Sequence, residues 1–159
     1  RQYRRHPRTT RLAMSNYVID ASVAIKWIFA ERFQKEARQY RDCAQTFFAP
    51  SLLLIECAAA IQKKVWRNEI EEEDGWEAYE LLGNNPRMVL TSSFQLIKPA
   101  YRLANLIEHP IYDCIYLALA IQHGSVVVTA DRKFYDHIKA SSYSRNIIWV
   151  QDPPFVKSD

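Results

Sequence analysis

Short apolar runs alternate along this chain with longer segments whose apolar residues recur at helical intervals. Tyr17 to Ile19 is the first such run, stopped by Asp20, and Val23 to Phe29 continues with helix-compatible residues, so a strand runs into a helix. Phe33 to Ala44 mixes charged and apolar residues at helical spacing, and Thr46 to Ala49, aromatic and closed by Pro50, reads as a second strand. Ser51 is placed to cap a helix through Leu52, Ile55, Ala59 and Lys63 to about Arg67, whose first half is apolar almost all round and is expected to be buried. The acids from Glu69 to Asp74 open another helix, through Trp76, Tyr79 and Leu82, at the end where the helix dipole favours negative charge. Gly83, Asn84, Asn85 and Pro86 close it. Met88 to Leu90 fits a strand, and Phe94 to Glu108 a helix in which Pro99 must mark the first turn or a kink. Pro110 starts a helix through Gly124, Val126 to Thr129 is a β-branched strand, Arg132 to Ala140 a helix and Ile147 to Val150 a last strand. The tail after Pro153 has little to order it.

Short strands separated by helices imply an α/β fold, a mostly parallel central sheet of about five strands flanked by helices. Sheets of this kind place their chemistry outside the carboxyl ends of the strands. The 159 residues, 48% of them hydrophobic, suit one domain with a substantial core. No apolar run approaches the roughly 20 uncharged residues of a membrane-spanning helix, so a soluble, cytoplasmic protein is expected.

The net charge of +3 is a property of one end. Arg1, Arg4, Arg5, Arg8 and Arg11 all precede Met14, and from there onward 16 basic residues face 18 acidic ones. Residues 1–13 therefore read as a basic extension, an appended remnant or an upstream start without fixed structure unless docked, ahead of a domain spanning 14–159. Overall charge gives no support to nucleic-acid binding; only a local patch can. Cys43, Cys57 and Cys114 lack any metal-binding or disulfide spacing and are expected to pack in the core of a protein kept reduced.

Four carboxylates carry the candidate chemistry. Asp20 and Asp131 each end an apolar strand and precede a helix, so in a parallel sheet both emerge at one edge; the alternative for each is simply to cap its helix. Glu56 is the only charged residue between Ser51 and Ile61, where an ionised carboxylate needs a cation, a set of donors or a salt bridge. Asp113 lies in the first turn of another apolar helix, where the helix dipole is the alternative reason for an acid. Taken together, two strand ends and two helices suggest a single site. Four gathered carboxylates repel one another and call for a hard divalent cation; oxygen-only ligation suits Mg2+ or Mn2+ rather than zinc or iron. Such an ion acidifies its water and stabilises charge on a phosphoryl oxygen, which points to phosphodiester hydrolysis.

The segments YVIDASVAIKW, APSLLLIECAAAI, YDCIYLALAIQHG and VVVTADRKFYDHI, with the closing strand IIWV, resemble the PIN-domain family in order and spacing, and within it the VapC-like toxins, from Met14 to about Asp152. The resemblance implies a metal-dependent endoribonuclease whose acidic set falls on Asp20, Glu56, Asp113 and Asp131, with Ser22 and Thr129 lining the pocket. It also implies a homodimer and a cognate antitoxin whose peptide fills the groove beside the acids. Lys26, Arg132 and Lys133, with Lys63, Lys64 and Arg67 on the long helix, are candidate phosphate contacts. Two alternatives stay open: a non-catalytic module whose acids anchor an Arg-bearing protein, and a metal-dependent phosphatase, although the usual D-x-D of the latter is broken by Ser22.

Overall fold

A computed structural model describes residues 16–44 and 46–155. The basic extension and the last four residues fall outside that range. Strand β1 (Asn16–Ile19) is followed by the short helix α1 (Ala21–Ala24), continued by a 3-10 turn from Ile25 to Trp27, and by α2 (Gln34–Cys43). Then come β2 (Thr46–Pro50), α3 (Leu52–Trp66), α4 (Glu72–Gly83), β3 (Met88–Thr91), α5 (Ser93–Ile107) and α6 (Ile111–Gln122). The chain ends with β4 (Val127–Thr129), α7 (Arg132–Lys139) and β5 (Ile147–Trp149).

Among the described residues the five strands form one sheet in the order β3-β2-β1-β4-β5, and every neighbouring pair is parallel. The central strands β1 and β4 are buried nearly throughout, as continuous apolar runs must be when helices cover both faces. At the edge, β3 leaves Val89 and Leu90 exposed. Helix α6 packs on β1, β2 and β4 and is covered in turn by α5, which is why Cys114 through Ala120 are all buried. The order reverses between β1 and β4: from β1 the chain winds outward to β2 and β3, then returns to build β4 and β5 on the other side. In sheets of this kind such a reversal makes the loops diverge at the carboxyl ends of the two strands.

Several local expectations need correction. Ser51 does not cap α3 with its own side chain; the Leu52 N–H donates instead to Ser93 Oγ at 2.8 Å, and the Ser93 N–H returns a bond to Ser51 Oγ at 3.0 Å. The two helices thus cap each other across the sheet edge. Helix α3 is not buried all round, since Ile55 is 69% exposed and Ala58 and Ala59 are exposed too. Pro99 lies in the interior of a continuous α5, beyond its first turn. Cys57 and Cys114 are buried as expected, but Cys43 is exposed at the end of α2. The tail past Pro153 is tied down as far as Phe155, whose ring stacks on Tyr17 at 6.1 Å and whose N–H donates to the Tyr17 hydroxyl. Among the described residues no helix is long and apolar enough to cross a membrane.

Candidate active site

The register of β1 on β4, with Ile19 opposite Val128, carries Asp20 to the carboxyl end of β1 beside Thr129. Asp20 stands at the N-cap position of α1 and yet caps nothing with its side chain. Its Oδ2 accepts instead from Ser22 Oγ at 2.5 Å and Thr129 Oγ1 at 2.7 Å. Those hydroxyls are themselves fixed: Ser22 Oγ accepts from the Ala130 N–H at 2.9 Å and Thr129 Oγ1 from the Asp131 N–H at 3.0 Å. Ser22 and Thr129 are therefore struts that join β1 to the end of β4 and hold one face of the buried carboxylate.

Asp131 behaves differently at the matching position. Its Oδ1 accepts from the N–H groups of Lys133 and Phe134 and caps α7. Glu56, in the second turn of α3 and half-buried, accepts at Oε2 from the Tyr116 hydroxyl of α6. Asp113, in the first turn of α6, is paired at Oδ2 with His109 Nε2 at 2.7 Å. Sequence reading missed both Tyr116 and His109. The first lies 60 residues from its partner and left no local signal, whereas the i,i+4 spacing of His109 and Asp113 was available.

One pattern recurs in all four acids. Asp20 Oδ2, Glu56 Oε2, Asp113 Oδ2 and Asp131 Oδ1 are engaged, while the second oxygen of each accepts no hydrogen bond among the described residues. No Lys or Arg among the described residues is ion-paired with any of them. The Asp20 carboxyl is held up to about 7: burial raises it most, its two hydroxyl donors pull it back, and the charges of Glu56 and Asp113 add to the rise. Glu56 is raised by burial, relieved by Tyr116 and raised again by Asp113. Asp113 is raised by burial, relieved by His109 and raised by Asp131. Asp20, Glu56 and Asp113 thus each feel at least one other acid and form a repelling set. Among the described residues no three acidic, His or Cys side chains are yet drawn close enough to make a finished metal cage. The donor chemistry fits a hard cation nonetheless: anchored carboxylates, each with one oxygen to spare, and no Lys or Arg among the described residues paired with them.

A family model described as "PIN domain" matches residues 17–139. This chain belongs to the PIN-domain family. Two solved structures share the fold of this PIN domain at low identity. The first, titled a toxin–antitoxin complex from Klebsiella pneumoniae, is 16% identical with a TM-score of 0.61, covering 88% of this chain and 99% of that one. The second, PAE2754 from Pyrobaculum aerophilum, is 17% identical with a TM-score of 0.64, covering 89% of each chain. No curated protein matches the sequence.

The basic residues of this PIN domain are less available than their sequence suggests. Lys26 pairs with Glu31 at 3.1 Å, and Lys64 reaches the same Glu31 at 2.9 Å as well as Glu69, which also draws in Arg67. Arg132 lies 3.8 Å above the Trp149 ring and approaches Asp136 at 3.7 Å. Lys63 and Lys133 are exposed and form no ion pair among the described residues. The thiols are not candidate nucleophiles: burial and the nearby Asp20 and Glu56 push Cys57 up to about 12, and burial with Asp113 pushes Cys114 up to about 11.

Proposed function

We propose that this PIN domain is a metal-dependent endoribonuclease and the toxin of a VapC-like toxin–antitoxin pair. The observation that carries the reading is the set of four anchored acids, each with one oxygen open, at the switch point of a parallel sheet. PIN domains are generally nucleases, which favours a phosphodiester as the bond cut. Asp20, Glu56, Asp113 and Asp131 would hold Mg2+ or Mn2+. Such an ion, when bound, supplies Lewis acidity to the phosphoryl oxygen and a more acidic water. The chain itself does the orienting. Ser22 and Thr129 stop the Asp20 carboxylate from rotating, and Tyr116 occupies one Glu56 oxygen so that the other is left for the cation or for a proton from the attacking water. In-line hydrolysis of this kind leaves 5′-phosphate and 3′-hydroxyl ends.

The expected partners are RNA, a cognate antitoxin and a second copy of the chain, in the cytoplasm. A structural neighbour is itself a toxin–antitoxin complex. Exposed Trp66, Trp76, Leu81, Phe94 and Tyr101 on α3, α4 and α5 supply apolar surface for protein contacts. Lys63 and Lys133 are the lysines best placed to meet RNA phosphates, with Arg132 held flat on Trp149. The phosphatase alternative gains nothing, because Ser22 is committed to Asp20. The binding-module alternative remains a rival, since an Arg side chain would neutralise the same acids.

Purified protein incubated with end-labelled RNA tests the proposal. Cleavage is expected with Mn2+ or Mg2+, none in excess EDTA, and a loss of roughly 100-fold or more in Asp20→Asn. Cutting that persists in EDTA or in the Asn variant contradicts it, while a metal-loaded protein that never cuts favours the binding module. Sedimentation of the same samples reports the dimer; a monomer that is fully active removes the homodimer from the proposal.

A further inference from the structure

His109 occupies the three-residue junction between α5 and α6, and both its backbone and its ring are held. Glu108 takes the left-handed conformation, with φ 53°, that ends α5, and the His109 N–H then donates to the Ala104 carbonyl at 3.1 Å. The His109 carbonyl accepts from Cys114 Sγ at 3.8 Å. On one side the imidazole lies nearly parallel to Phe134, with centroids 5.7 Å apart, and on another it meets His137 at 4.5 Å. Both belong to α7, and His137 is itself held by Nε2, which donates to the Ile107 carbonyl at 2.6 Å. What remains of the His109 ring, Nε2, points to Asp113 Oδ2 at 2.7 Å.

Resting on the ribonuclease reading above, we infer that His109 is the positioning residue of the acidic site: through Nε2 it orients Asp113, and through its ring it locks that carboxylate to the helix that Asp131 caps. Two of the four acids are thereby referred to one imidazole. Asp113 sits in the first turn of α6, where a short side chain has free χ torsions and neighbouring acids push it away. A hydrogen bond to Oδ2 selects the rotamer that leaves Oδ1 for a ligand. The stack on Phe134 sets the distance between the start of α6 and the start of α7, and hence between Asp113 and Asp131. A side chain present only to fill space would need the ring faces and not the nitrogen; phenylalanine would serve as well.

That difference is the test. Mn2+ affinity is measured by calorimetry on wild type and His109→Phe, which keeps the stacking surface and loses the donor, with thermal melting to confirm folding. Binding weakened by roughly 10-fold or more, with RNA cleavage reduced in step, is expected. His109→Gln and His109→Met, close in shape but with and without a donor, form the second pair: Gln is expected to bind Mn2+ more tightly than Met. They decide the matter if the Phe variant does not fold. A folded Phe variant, or a Met variant equal to Gln, that binds Mn2+ like wild type overturns this inference alone. Wild-type protein that binds no Mn2+ overturns the ribonuclease reading and this inference with it.

Discussion

Asp20 is 6% exposed and its carboxyl is held up to about 7, against an ordinary value of 3.8. Burial is the largest cause. In metal-free protein the folded state therefore keeps a proton at Asp20 where the unfolded chain has lost it. That contribution to stability is complete below about pH 4 and is lost as the pH rises towards about 7. Glu56 and Asp113, also raised, act in the same direction. In EDTA, the melting temperature should fall between about pH 4 and pH 7, with a visibly shallower fall in Asp20→Asn. Excess Mn2+ should reverse the trend for wild type only, by binding the ionised form of the folded state. Equal slopes for the two proteins would mean that Asp20 is not the repelled, buried acid described. At this scale the residue types and order were enough to single out four candidate acids, but not to separate their surroundings. Asp20 and Asp131 look alike in sequence, each between a strand and a helix. Only the hydroxyls of Ser22 and Thr129, brought across the sheet from 2 and 109 residues away, turn the first from cap to candidate ligand.

The elements hold these side chains through their ends more than their middles. Glu56 is set by the start of α3, and that start is capped from outside by Ser93 at the head of α5. Ser93→Ala leaves the Leu52 N–H without its acceptor and should destabilise the protein by about 1 kcal/mol. A matching fall of roughly 2–4 °C in melting temperature is expected. An unchanged midpoint in urea or heat would show that water replaces the hydroxyl without loss. The capping potential of Ser51 was legible in the sequence, but the exchange of caps was not, because it depends on β3 bringing residue 93 back beside residue 51. Helix α3 carries a similar lesson. Its apolar first half was expected to be buried, whereas Leu53 and Cys57 are buried, Leu52 and Leu54 are partly so, and Ile55 faces out. Composition reported how apolar the helix is, not which neighbours it has within a single chain.

At the scale of the molecule, alternating strand and helix patterns were sufficient for the parallel sheet, because continuous apolar strands tolerate few other arrangements. Strand order was beyond local pattern. It is the return of the chain from β3 to β4, next to β1, that puts Asp20 and Asp131 at one switch point and sends α6 across the buried face with Asp113 at its head. The same topology leaves large apolar residues of α3, α4 and α5 uncovered, in keeping with the proposed partners. The central claim is that Asp20, Glu56 and Asp113 converge on a divalent cation. Anomalous diffraction from crystals soaked in Mn2+ tests it most directly. The account predicts manganese density bounded by those three carboxylates and absent from Asp20→Asn. Manganese located elsewhere in a protein that still cleaves RNA would contradict it.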